Sequence, residues 1–167
     1  MHSRPRSSPI LAALVLASVF APTSAGAQLG SPESRVFTLG MPGTGAPLQS
    51  LAQFGGGLAA GDFDCDGFDD LAIGVPGFDF DGDADTGAVL LLYGGEAGLH
   101  PLSSQWVTPP VLLNDLPEPG DQFGFALAAG DFDGDGRADL AVGHPGEDVM
   151  GNVNSGAAAL LMGGPNA

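Results

Sequence analysis

The chain has 167 residues, 20 of them acidic and only four basic, with a formal net charge of −16. This balance excludes the basic patches that nucleic acid or an anionic membrane surface requires, and it points to cations as partners. One cysteine, Cys65, excludes an intrachain disulfide, so stability must come from core burial, metal or assembly.

In chain order, residues 1–27 read as a signal peptide. Arg4 and Arg6 form a basic start, Ile10 to Ala21 is mostly apolar, and Ala25-Gly26-Ala27 is a small-residue cleavage site before Gln28. The apolar stretch is shorter than the ~20 residues that cross a bilayer, and no second hydrophobic span follows. The expected product is secreted, extracellular or at the cell surface, with no membrane span. After cleavage two cations, Arg35 and Arg137, would face all 20 acids, a charge of −18. Residues 28–52 form a separate N-terminal segment.

From Gln53 the chain repeats itself. Gln53 to Gly98 aligns without a gap on Gln122 to Ala167 at an offset of 69, with 26 identities in 46 positions. The units are 53–121 and 122–167, the second incomplete. Within a unit the apolar runs are short and bounded by Gly, Pro and Asp, which predicts strands. Leu58 to Ala60 enters an acidic loop, and Leu71 to Val75 leaves it and stops at Pro76. Ala88 to Tyr93 ends at Gly94-Gly95, and Gln105 to Leu113 holds a fourth run interrupted by Pro109-Pro110. The third run is apolar on both sides, as in a strand buried between layers. The predicted class is all-β, with units of about four strands stacked face to face as propeller blades.

The acidic loops carry the chemistry. Asp62, Asp64, Asp66, Gly67 and Asp70 follow D-x-D-x-D-G-x-x-D, and Asp131, Asp133, Asp135, Gly136 and Asp139 repeat it. Calcium takes six to eight oxygens in a flexible shell, and alternate carboxylates on a tight loop can converge on one ion. Glycine at the sixth position permits the turn. The backbone carbonyls of Phe68 and Arg137, at the seventh, are further candidate ligands. Phe63 and Phe132, between the first two aspartates, are expected to point into the core. About two calcium ions per chain are expected. Magnesium fits less well because it keeps its waters.

The same opening begins an EF-hand, but that loop needs glutamate at position 12 and a helix after it. Position 12 is Ile73 or Val142, followed by an apolar strand. A second acidic run, Asp79 to Asp85, keeps one acid in its counterpart and reads as a polar loop or a weak extra cation site. His2, His100 and His144 are scattered, and Ser103 and Ser104 beside His100 do not make a triad. Cys65 has no basic neighbour to activate it. No catalytic residue is predicted.

"FGGGLAAGDFDCDGFDDLAIGVPG" and "FGFALAAGDFDGDGRADLAVGHPG" resemble FG-GAP repeats, found in the N-terminal propeller of integrin alpha chains and in many secreted bacterial proteins. Phe54-Gly55 and Phe123-Gly124 match the FG. Gly74-Val75-Pro76 and Gly143-His144-Pro145 match the GAP with its alanine replaced. The resemblance implies blades of a β-propeller with calcium in each hairpin loop, on the residues named above. Arg35 to Leu39 is then read as a strand of a degenerate preceding blade. Closed propellers have about four to eight blades. Two blades imply a longer gene product, self-association, or a sandwich of hairpins. The expected function is a calcium-stabilised module for adhesion or for binding an extracellular protein or glycan. The alternatives are an accessory propeller of a secreted hydrolase and a fragment without independent function.

Overall fold

Seven short strands form two antiparallel sheets in the computed structural model, which describes residues 35–45, 48–109 and 116–165. The signal-peptide reading, His2, and Pro110 to Leu113 of the fourth run lie outside the described residues. The first sheet has the order β1-β2-β3-β4: β1 (Leu58–Gly61), β2 (Asp70–Val75), β3 (Ala88–Leu92) and β4 (Ser104–Val107). The second has the order β5-β6-β7: β5 (Ala126–Gly130), β6 (Asp139–His144) and β7 (Ala157–Leu161). Among the described residues there is no helix, and none therefore long and apolar enough to cross a membrane. All-β blades of the expected kind are what the chain builds. The fourth strand starts at Ser104 and ends before Pro109, whose ring offers no N–H to a ladder.

Period-two alternation sorts the first sheet into two apolar faces. Ala59, Ala72 and Leu91 lie in register on one, and Leu58, Ile73, Leu90 and Trp106 on the other. Every residue of β3 is buried, as its doubly apolar pattern requires. Val75, Val89, Leu90 and Leu92 are fully buried, each contributing about 1.5–3 kcal/mol relative to exposure.

The two faces are covered differently. The Ala72 face packs on the second sheet, in one core made of Phe63, Ala72, Val89 and Leu91 with Phe123, Leu140, Val142 and Ala159. Backbone contacts join the sheets as well. The Phe123 N–H donates to the Thr86 carbonyl (3.0 Å), and the Gly164 N–H to the Phe63 carbonyl (2.9 Å). The Gly124 carbonyl sits so close to Gly74 that a Cβ there would collide with it.

The Ile73 face is covered in part by the segment before β1, which leaves Leu58 60% exposed. Leu39 and Ala52 pack on Val75, and Phe37 packs on the Ile73, Leu90 and Leu92 cluster. Hydrogen bonds tie this strap down: Trp106 Nε1 donates to the Thr44 carbonyl, and Gly77 N–H to the Ala52 carbonyl. The expected strand at Arg35 to Leu39 does not form. Residues 35–38 pair with no described strand, and the chain then turns at Gly40 and Gly43, both at positive φ, with the Met41 N–H donating to the Thr38 carbonyl (3.4 Å).

One core assignment fails in the second unit. Phe63 is buried at 3% exposure, but its counterpart Phe132 is 51% exposed. The alternation aims both rings the same way. Among the described residues, only Phe63 has a second sheet to aim at.

Candidate metal centre

Each acidic loop is a hairpin connection, β1 to β2 and β5 to β6, closed by its own carboxylates. The Asp66 N–H donates to Asp62 Oδ1 (3.0 Å) and to Asp64 Oδ1 (3.2 Å), and the Gly67 N–H to Asp62 Oδ2 (3.0 Å). The second loop follows suit. Gly134 and Gly136 N–H donate to the two oxygens of Asp131 (2.7 and 3.0 Å), and Asp135 N–H to Asp133 Oδ1 (3.0 Å). Gly67 and Gly136 turn at φ +92° and +87°, the left-handed region where glycine is unstrained.

The last aspartate anchors the loop to the sheet. Asp70 is 1% exposed, accepting the Phe63 N–H on Oδ2 (2.8 Å) and the Gly94 N–H on Oδ1 (2.8 Å). Asp139, also 1% exposed, accepts Phe132 N–H (2.8 Å) and Gly163 N–H (2.9 Å) in the same way. The anchoring glycines were legible only as strand ends. Their identity at the same offset was the available signal, and a Cβ at either would strike the Asp69 or Ala138 carbonyl.

Three carboxylates then meet in each loop. Oxygens of Asp62, Asp64 and Asp70 lie within 4.8 Å of one another, and so do those of Asp131, Asp133 and Asp139. Asp66 and Asp135 stand outside these groups. Each bends Oδ1 back to the N–H two residues on, Phe68 at 2.8 Å and Arg137 at 2.9 Å, and the Arg137 side chain lies 3.6 Å from Asp135 Oδ2. The donors that converge are all carboxylate oxygens, two from the loop and one from the strand that follows it, a set that fits a hard cation of calcium's kind. Bound there, such an ion would offset the mutual repulsion of the three charges.

The electrostatics differ between copies. Burial pushes the Asp70 pKa up, the Asp64 charge adds to it, and the Gly94 and Phe63 N–H groups oppose it. The Asp139 pKa is lowered, because the N–H groups of Gly163 and Phe132 outweigh its burial. The hydrogen bonds are equivalent and both aspartates are themselves buried; what differs is their company, since Asp62 and Asp64 beside Asp70 are half-buried while Asp131 and Asp133 beside Asp139 are exposed to solvent. Tyr93 is raised by burial and then by the charges of Asp64 and Asp70, so the field of the first loop reaches the end of β3.

The remaining candidates do not assemble. Cys65 is exposed on the loop. Ser104 Oγ donates to the Gly43 carbonyl (3.2 Å), and His100 Nδ1 accepts the Leu102 N–H (3.3 Å). His144 is buried with Nδ1 3.1 Å from Glu147 Oε2. Asp79 accepts the Asp85 N–H (3.1 Å), which closes that acidic run as a turn.

A family profile for the FG-GAP repeat matches residues 54–92 and 123–161, the two segments that hold the loops and most of their strands. The chain is 35% identical over 115 residues to phosphatidylinositol-glycan-specific phospholipase D of Rattus norvegicus, covering 69% of this chain and 13% of that protein. It is 41% identical over 110 residues to integrin alpha-PS5 of Drosophila melanogaster, covering 62% of this chain and 10% of the relative. It is 37% identical over 111 residues to integrin alpha-E of Homo sapiens, covering 64% and 9%. The chain thus spans about a tenth of the length of these relatives.

Proposed function

This chain is an FG-GAP repeat protein, and we propose that it acts as a secreted, calcium-stabilised propeller module serving adhesion or the binding of an extracellular protein or glycan. One observation carries the calcium assignment: the same three carboxylates converge at equivalent positions of both repeats. Asp62, Asp64, Asp70 and Asp131, Asp133, Asp139 form the core of two shells, completed by the second oxygens of Asp66 and Asp135 and by the carbonyls of Phe68 and Arg137. The role of the ion is structural. Each shell ties a hairpin loop to its sheet through Asp70 or Asp139, so binding energy becomes folding energy.

Calorimetric titration with calcium should give about two sites per chain. Asp131→Ala with Asp133→Ala should leave one, and should lower stability in calcium but barely in chelator. Equal destabilisation in both would refute a structural ion.

A second reading follows from the phospholipase relative: a non-catalytic accessory portion of a secreted hydrolase. In both readings the clustered aspartates are ligands and not acid–base groups. Calcium-dependent stability without turnover of glycan, ester or phosphoester substrates is expected. Turnover lost with the Asp131 and Asp133 substitutions would assign catalysis to the loops instead.

A further inference from the structure

The two acidic loops share a ligand pattern but not a charge. Residues 62–70 hold five aspartates and no base, because Asp69 precedes Asp70. Residues 131–139 hold four aspartates and one arginine: Ala138 stands at the position of Asp69, and Arg137 at that of Phe68. Arg137 is one of two cations after residue 27, and it lies inside a loop of carboxylates.

The Arg137 side chain engages an oxygen that an ion would use. Asp135 Oδ1 accepts the Arg137 N–H at 2.9 Å, as Asp66 Oδ1 accepts the Phe68 N–H at 2.8 Å. Oδ2 of each aspartate is the atom left for a shell. In the second loop Arg137 Nε lies 3.6 Å from Asp135 Oδ2. That distance is a charge contact and not a tight two-bond fork, so a divalent ion can displace it. The guanidinium also lies beside the chain after β7, where a Cβ on Gly164 would come within 3.4 Å of Nη1. The first loop has the 40% exposed Phe68 in this place, which brings no charge. The surroundings differ as well. Asp62 and Asp64 are half-buried, and Asp131 and Asp133 are exposed, so water screens the second set more strongly.

Resting on the calcium reading above, we propose that Arg137 is a built-in counter-ion of the second loop, which competes with calcium for Asp135 and sets this site to a lower affinity than the first. Calcium affinity in carboxylate loops follows the ligand charge and the rigidity of the site. The second loop has one carboxylate fewer, one cation more and more water around it. A unit charge one side chain away from a doubly charged ion, across solvent, changes the dissociation constant by roughly five- to tenfold. The loops therefore fill in order. The first repeat stays loaded over a range of calcium concentration in which the second loads and empties, so the second repeat is the calcium-responsive part of the chain.

The test titrates the full chain with calcium chloride at low salt. Calorimetry gives the dissociation constants, and the amide resonances of Gly67 and Gly136, which donate to Asp62 and Asp131, report the two loops separately. Two constants about tenfold or more apart are expected, with Gly67 shifting first. Arg137→Phe should tighten the second site by about five- to tenfold and leave the first unchanged, and Phe68→Arg should weaken the first by a similar factor. Both positions are exposed, so neither exchange reaches the core. Arg137→Lys, which keeps the charge, should stay weak, and added salt should shrink the effect of Arg137→Phe. A second site whose affinity survives Arg137→Phe unchanged, or a Gly136 signal that shifts with or before Gly67, overturns the proposal and leaves two calcium sites standing. Binding at neither loop overturns the calcium assignment itself, and this inference with it.

Discussion

Truncating the same phenylalanine in the two repeats should have unequal effects. Phe63→Ala removes a ring that is 3% exposed and packed between two sheets. The loss combines transfer with an unfilled cavity, about 3–5 kcal/mol. Phe132→Ala removes a ring that is 51% exposed. Half its transfer energy is already forgone and water fills the space left behind, so the expected loss is about 1 kcal/mol. The backbone N–H of each residue, which holds Asp70 or Asp139, survives truncation, so both variants should keep their calcium stoichiometry. Urea unfolding at low protein concentration gives the comparison, read as midpoints at unchanged slope. A gap of about 2–4 kcal/mol is expected, large against the 5–15 kcal/mol of a whole domain. Equal losses near 4 kcal/mol would mean that Phe132 is covered in solution. Equal losses near 1 kcal/mol would mean that the junction between the sheets is not packed as described.

Tyr93 is the chain's one tyrosine, so its phenolate absorbance reports a single group. Calcium in the first loop should lower its raised pKa by neutralising Asp64 and Asp70; bound calcium without that shift would place the ion elsewhere. Cys65 sits at φ +64° where the second loop has Gly134 at +83°. Cys65→Gly should stabilise by about 0.5 kcal/mol, the relief of left-handed strain less the added chain entropy, and a loss above about 1 kcal/mol in urea titration would give Cys65 a role beyond turn geometry. In chelator the two anchoring aspartates should act in opposite directions. Asp70, raised above 3.8, contributes stability at low pH that is lost as pH rises through its folded value; Asp139, lowered, contributes stability that is lost as pH falls through its own. Asp70→Asn should flatten the first slope and Asp139→Asn the second, and unchanged slopes in pH-dependent unfolding would refute the assignment.

Much of this protein is written locally. A hairpin loop of alternate aspartates with glycine at its sixth position is decided within nine residues, so the loops, their strands and the duplication are legible at Asp62 to Asp70 and again at Asp131 to Asp139. β3 announces its burial by being apolar on both faces. Three features needed the tertiary structure. Gly94 and Gly163 donate to Asp70 and Asp139 across 24 residues, a partnership that spacing does not specify. The run at Phe37 and Leu39 became a strap: it pairs with no described strand and turns at Gly40 and Gly43, while its apolar side chains still find the first sheet. Phe63 and Phe132 stand in the same local sequence and aim the same way, yet one is core and the other surface. Alternation along a strand sets the direction of a side chain, and only the packing of another sheet determines whether that direction leads to protein or to water.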